Sequence, residues 1–110
     1  MQEFIFLFRG GKTSDASESR LDAHEAAWDD WMDNLDAKGV LIDGLPMSDR
    51  GVMVSPEGMQ DADFGVNNGV TGYLILECED LDEATNLASD CPIFEFGGEV
   101  EVRQLINERG

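Results

Sequence analysis

The stretch VTGYLILEC, residues 70–78, decides how the rest of the chain is read. Successive side chains of a strand point to opposite faces, so Tyr73 and Ile75 oppose Leu74, Leu76 and Cys78. Both sets are apolar. The run EFIFLF at residues 3–8 repeats the pattern, with Phe4, Phe6 and Phe8 on one side and Ile5 and Leu7 on the other. Strands that are apolar on both faces are expected to be buried on both. The fold must therefore cover two faces of one sheet.

Two helices are available for this. Residues 18–38 place Leu21, Trp28, Trp31 and Leu35 at helical spacing, with Asp22, Glu25, Asp29, Asp33 and Asp36 opposite. Ser17 is the expected N-cap, and Lys38–Gly39 is a C-terminal signal. A second, shorter helix is predicted over 80–90, with Asp80 as N-cap and Leu81, Ala84, Leu87 and Ala88 on its apolar face. Further strands are predicted over 40–47, 51–55 and 99–106. The 51–55 strand is expected to pair back on 40–47 across Ser48–Arg50, residues 56–69 read as a loop, and 91–98 reads as a connector.

The order is β-α-β-(β)-β-α-β, which predicts an α+β, ferredoxin-like antiparallel sheet with two helices on one face. The 110 residues allow one domain, taken here as 1–110. Two helices cover only one face of such a sheet. The simplest cover for the other is a second copy of the same sheet, which predicts a homodimer whose sheets pack face to face around an enclosed space.

Charge narrows the partners. Twenty-four acidic residues against seven basic ones give a net charge of -17, which phosphate backbones and anionic lipid repel. Neither nucleic-acid nor membrane-surface binding is expected. Acidic faces of this kind keep a protein in solution, and a saline habitat produces the same composition. No run approaches the roughly 20 apolar residues needed to span a bilayer, and FIFLF at 4–8 lacks a basic leader, so a cytoplasmic location is expected. Cys78 and Cys91 read as small buried hydrophobes rather than a disulfide framework. With one histidine in the chain, no metal cluster and no cofactor are expected.

That histidine, His24, lies on the apolar side of the first helix, about one turn from Leu21 and from Trp28. Two readings stand. It is a partly buried histidine satisfied by a neighbouring carboxylate or carbonyl, or it is a general base or acid whose imidazole titrates near neutral pH. A carboxylate on one ring nitrogen raises the basicity of the other, and Asp61 and Asp63 are the loop candidates for that partner. Asp is also common in turns for its bonds to nearby amides. Glu101 and Arg103 point together, away from Val100 and Val102, and read either as a mutual ion pair or as a site for an anionic substrate. Trp28, Trp31, Phe64, Phe94 and Phe96 are core residues by default, some of them candidates for a pocket wall. No GxSxG, P-loop or dinucleotide pattern is present.

The residues also carry a resemblance. An aromatic first strand, His24, the pattern W..W...L...G.L..G.PM, a D..F loop, GYLILE, LDEA..LA..CPIFEFGG and VEVR follow in order over about residues 3–106. In these the chain resembles the YCII-related family, in its DGPF subgroup. The resemblance implies a dimeric α+β barrel. It also implies a His–Asp catalytic pair, since some relatives are linked to dehydrochlorination of chlorinated hydroquinones; that pair matches His24 and Asp61, and the tetrapeptide's phenylalanine matches Phe64. The tetrapeptide here reads DADF, with Ala62 and Asp63 in place of Gly and Pro, which alters the loop's rigidity and charge.

The expected function is a small cofactor-independent lyase or isomerase acting on a cyclic or aromatic organic acid. His24 would move the proton, Asp61 would orient the imidazole, and Arg103, Phe64 and Trp28 would bind substrate. The alternatives are a non-catalytic ligand-binding or regulatory module, which the resemblance places in a sigma-factor-linked setting, and a purely structural role with no pocket.

Overall fold

The computed structural model describes residues 1–11, 13, 16–63 and 69–106, with residues 61–63 described as backbone only. The elements are β1 (Gln2–Arg9), α1 (Glu18–Ala37), β2 (Leu41–Pro46), β3 (Arg50–Ser55), β4 (Gly58–Asp63), β5 (Val70–Cys78), α2 (Leu81–Ala88), a 3-10 turn (Pro92–Phe96) and β6 (Glu99–Gln104). β1, β2, β5 and β6 form one antiparallel sheet in the order β2-β5-β1-β6. The two central strands are the two most apolar ones. The chain is thus α+β and ferredoxin-like, as the order of its elements predicts.

Local chemistry sets the helix ends. The Ser17 hydroxyl accepts from the Arg20 N–H at 3.3 Å, and Asp80 accepts from the Glu83 N–H at 2.9 Å. Helix α1 stops in a Schellman turn: Val40 N–H donates to the Leu35 carbonyl at 3.3 Å and Gly39 N–H to Asp36 at 3.0 Å. Val40 and Leu35 are both buried, so the turn is held by an apolar contact as well.

One side of the sheet holds the core. Phe4, Phe6 and Phe8 project from β1 beside Leu74, Leu76 and Cys78 from β5, and both sets pack against Trp31, Leu35, Ala84 and Ala88 of the helices. Phe6 stacks on Trp31 with centroids 6.4 Å apart. The Trp31 indole donates to the Leu87 carbonyl at 3.1 Å, which ties α1 to α2 and satisfies a buried donor. Val100 and Val102 pair with Phe8 and Phe6 and so share this face.

The strand 51–55 does not pair back on 40–47. It pairs with Gly58–Asp63, inside the segment expected to be a loop, and the two form a separate hairpin sheet. The turn SPEG, residues 55–58, explains this. Pro56 sits at the second turn position and Gly58 at the fourth, a favoured β-turn sequence, and Gly58 adopts φ 130°, a conformation that side chains rarely allow. Val52, Met53, Val54 and Met59 are exposed on this hairpin. The expected connector 91–98 contains a turn of 3-10 helix that begins on Pro92 and ends at Gly97 in the left-handed region.

Candidate functional site

Helix α1 brings Arg20, His24 and Trp28 to one side, each four residues from the next. His24 is buried, with 7% of its surface exposed. Its Nε2 accepts a hydrogen bond from the Trp28 indole N–H at 2.9 Å. That bond needs a bare lone pair on Nε2, so the proton of the neutral ring sits on Nδ1. Nδ1 is buried and makes no hydrogen bond among the described residues; Oε2 of the Glu95 carboxylate lies 3.8 Å away. The Phe96 ring packs against the imidazole edge to face, with centroids 4.4 Å apart.

A cavity of about 350 Å³ opens beside this histidine. His24, Trp28 and Met32 of α1 form one wall; β1, β2 and β5 supply most of the rest, Phe8 and Leu45 among them, and Gly11, with Ile93 of the 3-10 turn, completes it. The lining is mostly apolar and partly aromatic. Trp28 meets Phe8 edge to face at 5.4 Å and Trp31 at 5.5 Å, which fixes the indole against the core. A pocket of this kind, with few polar groups and one buried imidazole, suits a small flat organic ligand.

Of the residues singled out from sequence, His24 and Trp28 come together at this pocket. Arg103 lies elsewhere. It pairs across from Ile5 on the sheet face that carries no helix, and its side chain is 69% exposed. Glu101 on that face sits between two arginines, 3.2 Å from Arg9 and 3.8 Å from Arg103. Asp61 is placed as backbone in β4, opposite Val52; its side chain, that of Asp63, and Phe64 lie outside the described residues.

The sequence offers Phe96 only as a core or pocket-wall residue, and it did not single out Glu95 or Arg20 around the histidine. The signal for Arg20 was its i−4 spacing from His24 on the same helix. The signal for Glu95 and Phe96 was weaker: a Pro-led segment that must pack somewhere. The two thiols stand apart from the pocket. Burial pushes the Cys78 thiol up to about 11, helped by the Glu83 carboxylate nearby. Burial pushes the Cys91 thiol up to about 12, against a smaller opposing effect of a backbone hydrogen bond at Ile93. Neither is a nucleophile near neutral pH. Among the described residues, no three His, Cys, Asp or Glu side chains converge in a way that would hold a metal ion. Nor is any described helix long and apolar enough to cross a membrane.

No curated protein matches the chain. Among solved structures, the chain is similar to 5-chloro-2-hydroxyhydroquinone dehydrochlorinase (TftG) from Burkholderia phenoliruptrix AC1100, in a complex with 2,5-dihydroxybenzoquinone. The TM-score is 0.59 at 19% identity, over 97% of this chain and 96% of that one. This likeness is one of fold, end to end. The profile of the YCII-related domain matches residues 6–109, nearly the whole chain, and the chain belongs to that family.

Proposed function

We propose that the protein is a small lyase or isomerase acting on a cyclic or aromatic organic acid, with His24 moving the proton. The observation that carries the reading is the buried His24 at the wall of an aromatic pocket, with Nε2 set as an acceptor. A general base needs a lone pair on the ligand side and a fixed tautomer. In the proposed step a ligand hydroxyl takes the place of the Trp28 indole on Nε2 and gives up its proton there. Loss of hydrogen chloride from a ring, the reaction in the structural neighbour's name, requires such a proton transfer. The neighbour's bound 2,5-dihydroxybenzoquinone is a flat ring with acidic hydroxyls, a shape that Phe8 and Trp28 would flank.

The reading includes the assembly. Ile5, Leu7, Tyr73 and Ile75 make an apolar surface on the helix-free side of the sheet, and a second copy of the chain is its proposed cover. Arg103 lies on that helix-free side, away from the His24 pocket, so an anion held by its guanidinium would not be the ligand at His24.

One observation favours a second reading. Both ring nitrogens of His24 face protein groups, Trp28 on one side and Glu95 across the other, as they would in a pocket that only binds. Chloride release from 5-chloro-2-hydroxyhydroquinone separates the two. The enzyme reading expects release that falls by about 10²–10⁴-fold in His24→Ala. Binding of 2,5-dihydroxybenzoquinone, followed by tryptophan fluorescence, should survive that change. Release indifferent to His24→Ala would end the proposal, and binding with no release at all would assign the second reading.

A further inference from the structure

The 3-10 turn that follows α2 has no evident reason to carry an acid against the one histidine of a chain already at -17. Its placement is nevertheless specific. The Arg20 guanidinium lies over the Phe96 ring, 4.4 Å from its centroid. Its Nη2 donates to the Glu95 carbonyl at 3.4 Å, and its Nε sits 3.6 Å from Glu95 Oε1. The other carboxylate oxygen, Oε2, points toward His24 Nδ1. One guanidinium thus holds both the backbone and the side chain of Glu95, and one carboxylate spans from that arginine to the imidazole.

From this geometry we infer that Glu95, held by Arg20, is the positioning carboxylate of His24 and accepts its Nδ1–H. The distance of 3.8 Å exceeds a hydrogen bond by about 1 Å. The Glu95 side chain is 43% exposed and has the rotamer freedom to close that gap, whereas the nitrogen is sealed from water. Among the described residues, the charged group set against the ring is Glu95 from the turn, itself paired with Arg20 of the histidine's own helix. Trp28 opposes them with a donor on Nε2, so the two contacts select the same tautomer from opposite sides. A carboxylate on Nδ1 stabilises the imidazolium that forms when Nε2 takes a proton, while the bond to Arg20 keeps that carboxylate from swinging into water. Glu95 touches no ligand in this scheme and acts only through the imidazole.

The inference rests on the proton-transfer reading for its purpose but not for its test. With one histidine in the chain, 15N-histidine labelling gives a single imidazole spin system. At mildly alkaline pH the wild type should show a downfield, slowly exchanging proton bound to Nδ1, with Nε2 unprotonated. Glu95→Gln, which keeps shape and loses charge, should move that proton upfield and keep the tautomer. Glu95→Ala should abolish the resonance through exchange. In Trp28→Phe the Nδ1–H tautomer should persist, because Glu95 still selects it. An Nδ1 proton unchanged in both Glu95 variants would overturn the inference, as would a wild-type ring protonated on Nε2. A protein that passes these tests yet releases no chloride would refute the enzyme reading alone.

Discussion

The two faces of the four-stranded sheet are built from neighbouring residues of the same strands and have different fates. On the helix side Phe4 and Phe6 are fully buried, with 0% exposure, and lock against Trp31 and Leu35. One residue along, Ile5 and Leu7 are only half-buried, beside Tyr73 and Ile75. Hydrophobicity alone does not distinguish the faces. Shape does: the helix side takes the phenylalanine rings, which interlock with the tryptophans of α1, and the other side takes a mostly aliphatic surface around Tyr73, rimmed by Arg9, Glu101 and Arg103. The first is a core completed within one chain. The second is a surface that one chain leaves half-finished.

The largest expected effect lies on the completed face. Phe6→Ala should cost about 3–5 kcal/mol in urea unfolding, at any protein concentration, because the cavity opens inside one chain. A cost below about 1 kcal/mol would mean that the aromatic interlock is not the core. The open face should respond differently. Leu7→Asp places a charge at the centre of the proposed contact between copies. It should halve the mass seen by sedimentation while circular dichroism stays that of the folded chain. A wild type that sediments as one chain at all concentrations breaks the assembly proposal outright.

Near neutral pH the smallest effect is that of the thiols, which belong to the helix side and act only in the alkaline range. An ordinary thiol titrates near 9.0, and burial raises Cys78 to about 11 and Cys91 to about 12. Between those values the folded state keeps protons that the unfolded chain releases, so stability falls as pH rises from about 9 and the loss is complete once the folded thiols ionise. Below that range the thiols contribute no slope. Urea midpoints across the alkaline range should show this decline, and Cys78→Ala with Cys91→Ala should flatten it. In native protein both thiols should resist a disulfide reagent until the chain unfolds.

Much of the fold was legible because its signals are local. Ser17 and Asp80 cap the helices they precede, and the Leu35–Val40 turn ends α1 where Lys38–Gly39 predicts. The alternation in residues 3–8 and 70–78 places the sheet's two central strands and the direction of every side chain on them. The hairpin has a local signal too: SPEG, inside the segment expected to be a loop, carries a Pro and a Gly at the positions a tight turn wants. The candidate site was legible only in part. His24 and Trp28 are one helical turn apart, so their meeting is a local fact. Arg103 was placed correctly relative to Val100 and Val102, since strand alternation is local as well, but the face it shares is not the one that bears His24.

By itself, then, the sequence determined the elements, their caps, their order, and which side chains share a face of each strand or helix. These follow from backbone geometry with periods of 2 and 3.6, and they need no knowledge of distant contacts. Tertiary structure alone decided that a cavity opens between α1 and the strands of the main sheet, and that Glu95 faces the imidazole. The last contact joins residues about seventy positions apart. It exists because a Pro-led 3-10 turn docks its Phe96 against α1 and Arg20 clamps it there, a result of packing that no periodicity records.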